Sequence, residues 1–247
     1  DWECIIVNDG STDGTAEYLA TLTDPRFRIV SFEKNKGRAY ARDTALNLAS
    51  GEFLAMLDAD DIYHPEKLER QVRALRDNPE IALVGCSICS FGTTSELTYK
   101  RSVTAGVFSF DGKIPPHACS MLRMARAQLF HYNLLLDYSE DVDFLRRYLE
   151  GQKYMNTEDV LYYYSEIDSV TKKKLIAYYK NGIRHGLSKG KAGLSLLVKN
   201  GLKLIYGSLV YPFVSIESIL KKRGVPLSDI ELKEYKAIVQ TLISQTP

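Results

Sequence analysis

Cysteine is scarce in this chain, with Cys4, Cys86, Cys89 and Cys119 the four in 247 residues. Four scattered thiols cannot staple a chain of this length, so a disulfide scaffold is excluded and a reducing, cytoplasmic setting is expected. Cys86 and Cys89 form a C-x-x-C, yet no second pair and no nearby histidine completes four zinc ligands, and the surrounding IALVGCSICSF has the character of a buried strand. A zinc site is therefore set aside. Apolar runs of transmembrane length are missing, and the opening DWECIIVNDG does not resemble a signal peptide. An initiator methionine is missing as well, and because the chain starts almost directly in a strand it is expected to begin inside a domain.

What is present is enough for a core. Hydrophobic residues make up 45% and charged residues 26% of the chain, the balance of a globular protein. The length allows one sizeable α/β domain, or an ordinary domain with a helical appendage. The formal net charge of +1 hides an uneven distribution. Residues 172–223 hold twelve lysines and arginines against the single acid Glu217, a net of +11 that leaves −10 for the remainder. An acidic body joined to a basic segment that meets something anionic fits this asymmetry, although a basic stretch can also be a solvated face.

Along the chain, short apolar runs alternate with helical periodicity. A strand is predicted over residues 3–8 around CIIV, then the turn-rich DGSTDGT and a helix through Tyr18 and Leu19. A second strand over 26–32 and a helix over 37–49, with Ala41, Ala45 and Leu48 on one face, follow. The strand predicted over 52–57 ends in Asp58-Ala59-Asp60-Asp61, and the next helix starts at Pro65, whose missing N–H needs no partner in a first turn. A strand over Ile81–Ser90, an irregular stretch over 97–122, a helix over Glu140–Leu149 and a strand over 159–164 complete the pattern. Such alternation predicts an α/β fold with a mainly parallel sheet flanked by helices, in which ligands collect at the carboxyl ends of the strands. A composition shift near Ser165 divides a domain over 1–165 from a basic helical region over 166–247.

Two constellations carry chemistry. Asp58 and Asp60 are alternate residues at a strand end, so both carboxylates can face one site and offer oxygen ligands to a hard cation. Strand-ending and helix-capping acids are the plainer alternative. Asn8-Asp9-Gly10-Ser11 follows an apolar strand, where Asp9 can accept a hydrogen bond from a base N–H and Gly10 permits a tight turn. An ordinary strand-to-helix turn capped by Asp13 is the alternative there.

In order and spacing, joined by NKGRAYARDTA, these motifs resemble those of the inverting glycosyltransferases of family 2, which have the GT-A fold (Rossmann-like). The resemblance covers about the first two thirds of the chain. It implies that the IIVNDGSTDGT turn holds the nucleoside through Asp9, Gly10 and Ser11, with Asn8 standing where the family has Asp. It makes Arg42 a contact to the nucleotide, with Asp43 in place of the usual Asn, although a helix-surface salt bridge is the other use of such an arginine. LDADD corresponds to the family's D-x-D, so Asp60 and Asp58 would hold Mg²⁺ or Mn²⁺, Asp58 also touching the nucleotide and Asp61 supporting them. The acidic pair Glu140-Asp141 assigns the catalytic base to Asp141, against the alternative of acids that stabilise a helix N-terminus. Glu140 and His117 would support the site or touch the acceptor. The family's first strand and helix, before the D-D-G-S strand, are absent from the chain as it starts here.

The implied reaction moves a sugar from a nucleotide-diphosphate donor, a UDP-sugar first of all, to a hydroxyl of a glycan or lipid-linked acceptor, as in surface polysaccharide or glycolipid synthesis. A nucleotidyltransferase and a non-catalytic sugar-nucleotide-binding or scaffolding protein are the competing functions, and no nucleic-acid partner is expected. Residues 194–220 mix long apolar stretches with Lys199 and Lys203, and Pro212 would interrupt a continuous helix. This composition fits a segment lying on an anionic membrane surface, at the inner face of the cell membrane, or else helices packed on the domain.

Overall fold

The computed structural model describes residues 1–92, 98–136, 139–166, 171–188, 190–220, 222 and 224–244; Leu97, at the start of the irregular stretch, and Lys189, Lys221 and Arg223 of the basic segment lie outside them. Strands β1 Cys4–Asn8, β2 Phe27–Ser31, β3 Phe53–Ala55, β4 Ile62–Tyr63, β5 Ile81–Ser90, β6 Tyr99–Arg101, β7 Gly106–Ser109, β8 Met121–Arg123 and β9 Lys153–Tyr164 are interspersed with helices. The helices are α1 Thr15–Ala20, α2 Arg38–Leu48, α3 Lys67–Asp77, α4 Met124–Ala127, α5 Glu140–Leu149, α6 Lys172–Ser188, α7 Leu194–Val210, α8 Ile216–Leu220, α9 Asp229–Tyr235 and α10 Thr241–Ser244. The chain folds into two compact units, one of Asp1–Met56, Leu68–Gly85 and Ala105–Asn156, the other of Leu57–Lys67, Cys86–Thr104 and Thr157–Pro247.

In the first unit the apolar run of β1 pairs in parallel with β2, from Cys4 opposite Phe27 to Asn8 opposite Ser31. From β3 onward the described registers are antiparallel: Phe53 opposite Arg123, Leu83 opposite Leu122, and Gly106 opposite Asn156. The core gathers on one face of α5, where Phe144, Leu145, Tyr148 and Leu149 are fully buried with Leu83 and Leu122. Each such side chain contributes about 1.5–3 kcal/mol through removal from water. Tyr148 also satisfies its hydroxyl inside this core by donating to the Ala82 carbonyl at 2.6 Å. β5 is buried along its whole length, which explains why its residues are apolar or small on both faces, with the buried Ser87 and Ser90 its polar members.

In the second unit β4 pairs with the end of β9, Ile62 opposite Tyr163, and β6 with the end of β5, Ile88 opposite Arg101. Phe91 N donates to the Tyr164 carbonyl at 2.9 Å and draws the ends of β5 and β9 together. Cys89, Phe91, Tyr163, Tyr235 and Val239 form its apolar cluster, and burial pushes the Cys89 thiol up to about 12. α9 begins with a capping box between Ser228 and Glu231. A two-bond bridge between Lys100 and Val225 and a 2.6 Å ion pair between Lys100 and Glu231 fasten this helix to β6.

Candidate functional site

In the first unit the turn after β1 is clasped to the loop before α2. Asn8 Oδ1 accepts from Ser11 N at 3.0 Å, closing the turn. Gly10 has φ +70, and a Cβ there would stand 2.4 Å from the Lys34 carbonyl carbon, so both the conformation and the close approach require glycine. The Asp9 carboxylate accepts from Lys36 N at 2.7 Å and from Gly37 N at 3.0 Å. No side chain caps α2, but Asp9, 28 residues away in sequence, places its carboxylate just ahead of the helix start, where the helix dipole favours an anion. Each oxygen keeps lone-pair capacity for a further donor such as a base N–H. Asp13 accepts from Thr15 N at 3.0 Å in a local turn, but the residue that caps α1 is Gly14, not Asp13 as expected, and no side-chain capping bond is made.

Arg38 and Arg42 lie four residues apart on one face of α2. Both reach Glu140 at the start of α5, Arg42 at 2.6 Å and Arg38 at 3.7 Å. Glu140 is only 1% exposed, and burial raises its carboxyl above the ordinary glutamate value while the two guanidiniums oppose the rise. Arg42 is thus a partner of a buried acid, with a side chain 18% exposed, and not a solvated surface charge. Asp141, half-buried in the same first turn, accepts from Val142 N at 2.8 Å. Ser139, immediately before the pair, sits at φ +65, a left-handed conformation that costs an L-residue about 1–2 kcal/mol. Asp43, the departure from the family pattern, accepts from Tyr132 N at 2.9 Å. His117 is buried, with Nε2 2.8 Å from the Tyr132 hydroxyl, and Tyr132 stacks on Phe144 with ring centroids 4.3 Å apart.

In the second unit the acidic motif lies in a turn. The strand expected over 52–57 stops at Ala55, and Asp61 N donates to the Asp58 carbonyl at 3.0 Å. Strand alternation therefore does not set the directions of Asp58 and Asp60; the turn does. Asp60 is exposed and Asp58 half-buried, while Asp61 points inward. Asp61 Oδ2 accepts from the Tyr162 hydroxyl at 2.5 Å and Oδ1 from Ser165 N at 2.8 Å. Asp58 N in turn donates to the Tyr162 oxygen at 3.3 Å, so β9 holds both ends of the motif. Burial pushes the Asp61 carboxyl up to about 7, helped by the charges of Asp60 and Asp58 and opposed by its two donors, and it drives the Tyr162 hydroxyl far above the usual phenol range.

Asp58 and Asp60 are hard oxygen donors of the kind that Mg²⁺ and Mn²⁺ take. Among the described residues no group of three or more His, Cys, Asp or Glu is placed to hold a metal ion. The donor set thus fits a cation that completes its shell with phosphate oxygens and water, the usual arrangement for Mg²⁺ at a nucleotide. Tyr162, Ser139 and Asp43 were not singled out from sequence as site residues. An aromatic in a strand and a serine before two acids carry no signal of their partners, whereas the Asp at the family's Asn position was visible as a departure.

The chain is 42% identical over 77 residues to the Escherichia coli UDP-Glc:alpha-D-GlcNAc-diphosphoundecaprenol beta-1,3-glucosyltransferase WfgD, a match covering 31% of this chain and 30% of that one. Matched stretches span about a third or less of the first curated relatives. Among solved structures, S. aureus TarS 1-349 in complex with UDP-GlcNAc superposes with a TM-score of 0.58 at 16% identity, over 99% of this chain and 72% of that one. The mannosyltransferase PcManGT from Pyrobaculum calidifontis, in complex with GDP-Man and Mn²⁺, gives 0.57 at 17% identity over 98% and 74%. These likenesses carry the GT-A fold. The family model for glycosyl transferase family 2 matches residues 1–133, more than half of the chain and all of the nucleotide-loop and D-x-D motifs, and the chain belongs to that family.

Proposed function

We propose that the protein transfers a sugar from a nucleotide-diphosphate donor to a hydroxyl group with inversion at the anomeric carbon. The observation that supports this most is the start of α5, where Glu140 is drawn inward by Arg42 and Arg38 while its neighbour Asp141 stays half-exposed. Two adjacent carboxylates thereby take two tasks. Asp141 accepts the proton of the acceptor hydroxyl as that oxygen bonds to the anomeric carbon, and the bond from that carbon to the diphosphate oxygen breaks on the opposite face. Glu140 fixes the guanidinium of Arg42, which is assigned to the nucleotide. Asp9, Gly10 and Ser11 are assigned to the nucleoside through the clasped turn, and His117 supports the wall formed by Tyr132.

Asp60 and Asp58 are assigned to a divalent cation, Mg²⁺ or Mn²⁺, with Asp58 also near the nucleotide and Asp61 as support. Such an ion, when bound, supplies positive charge to the departing diphosphate. A UDP-sugar is the first donor to test, since the name of WfgD specifies UDP-Glc, and the diphosphoundecaprenol in that name supports a lipid-linked glycan acceptor. A panel of UDP-, GDP- and dTDP-sugars incubated with Mn²⁺ separates the functions. Slow release of nucleoside diphosphate from one donor is expected. Pyrophosphate exchange would indicate a nucleotidyltransferase, and binding without any turnover a non-catalytic protein; either would overturn the proposal.

A further inference from the structure

The two helices α6 and α7 pack on each other through small residues. Asn200 and Gly207 are the buried positions of α7, and Gly193, seven residues before Asn200 and immediately ahead of the helix, is buried too. A Cβ on Gly193 would stand 1.9 Å from the Gly186 carbonyl oxygen, so the backbones nearly touch. Leu196, Leu197, Leu204 and Val210 are partly buried, but six large apolar residues of α7 face outward: Leu194, Val198, Leu202, Ile205, Tyr206 and Leu209 are all more than half exposed, Leu202 at 64%. A helix that stabilises a domain in water buries its large apolar face and exposes small and polar residues. This one leaves most of its large apolar residues in the open and makes its closest contact through small residues, as suits helices surrounded by lipid.

Its charge pattern specifies how it would meet lipid. Lys199 and Lys203 are exposed and fall about 100° around the helix from the middle of the apolar stripe. No helix among the described residues is long and apolar enough to cross a membrane. A helix with an exposed apolar stripe edged by lysines lies in the plane of the interface. Lys173, Lys180 and Arg184 of α6 are also exposed, within a stretch whose only acid is Glu217. Phe213, 88% exposed just beyond α7, extends the apolar surface.

We propose that the outward face of α7 docks on an anionic lipid surface, its leucines and isoleucine entering the headgroup boundary and its lysines meeting lipid phosphates. This deepens the functional reading above, on which it rests for its purpose, by bringing the enzyme to a bilayer where a lipid-linked acceptor is presented. The test is flotation of the full chain with phosphatidylcholine vesicles that contain or lack phosphatidylglycerol, at low salt. Flotation with the anionic vesicles is expected. Leu202→Glu with Ile205→Glu, and separately Lys199→Glu with Lys203→Glu, should each lower partitioning on the order of tenfold. Both pairs are exposed, and circular dichroism and nucleoside diphosphate release from a soluble donor should stay at the wild-type level. If the full chain ignores anionic vesicles, or if Leu202→Glu with Ile205→Glu instead breaks a dimer of the lipid-free protein, the docking proposal is overturned. Flotation without sugar-donor turnover would support docking while sinking the catalytic reading.

Discussion

Glu140 and Asp141 are adjacent in sequence but not in environment. Glu140 is enclosed and ion-paired, and Asp141 remains half-exposed at the first turn of α5. Replacing Asp141 by Asn keeps the shape and removes the proton acceptor, so turnover should drop by roughly 10² to 10⁴ with donor affinity retained. Steady-state rates beside calorimetric donor binding check this, and near-normal turnover would move the base to another carboxylate. Glu140 yields a pH effect. Because burial raises its carboxyl above the ordinary value of 4.5, the folded chain holds the proton where the unfolded chain has lost it. Its contribution is complete below that ordinary value and is lost as pH rises through the raised one. Urea unfolding of wild type and Glu140→Gln across the acid-to-neutral range should show the wild type losing ground to the variant as pH rises; a constant difference would contradict the burial argument. The acidic pair itself was legible in sequence as a helix start. That one member turns inward was not, because the partner Arg42 lies 98 residues away.

At the scale of elements, sequence periodicity located β1, β2, β3, β5 and β9 and the helices α1, α2, α3 and α5, but not the short strands β4, β6, β7 and β8 or the shape of the element ends. The helices over 37–49 and Glu140–Leu149 and the strand over Ile81–Ser90 stand within a residue or so of expectation. β3, in contrast, is shorter than its apolar run, because Asp61 N closes a turn onto the Asp58 carbonyl and the Asp61 carboxylate turns inward to the Tyr162 hydroxyl of β9. β9 begins six residues before the predicted strand, where its early residues pair with β7, a register that no local pattern announces. Tyr162→Phe tests the brace that holds the motif. It leaves buried Asp61 short of a donor and Asp58 N short of an acceptor, a cost of about 1–3 kcal/mol. A lower urea midpoint should accompany weaker Mn²⁺-dependent binding of nucleoside diphosphate, and unchanged values in both would remove Tyr162 from the account. Gly10→Ala probes the other loop: the left-handed conformation costs about 1–2 kcal/mol and the contact with Lys34 adds to it, so both stability and nucleotide affinity should fall. Wild-type behaviour of that variant would mean that the clasp between the two loops is not needed.

Across the whole molecule, the order of motifs in the first half and the charge of the second were both visible in the sequence, for different reasons. Turn glycines, strand-end acids and the acidic helix start are local, and their order identifies the family. The apolar residues of α7 were equally visible, but periodicity reports that a face is apolar and not whether it points inward or out. In the proposed function the diphosphate leaving group departs with the help of a cation held by Asp60 and Asp58. Removal and return of that cation tests this most directly. With the donor found by the panel, nucleoside diphosphate release is measured in Mn²⁺, after chelation, and after Mn²⁺ is restored, for wild type and Asp60→Ala. The expected result is release that stops on chelation, returns with Mn²⁺ and is nearly absent in Asp60→Ala; release that continues undiminished in chelator, or in Asp60→Ala, would contradict it.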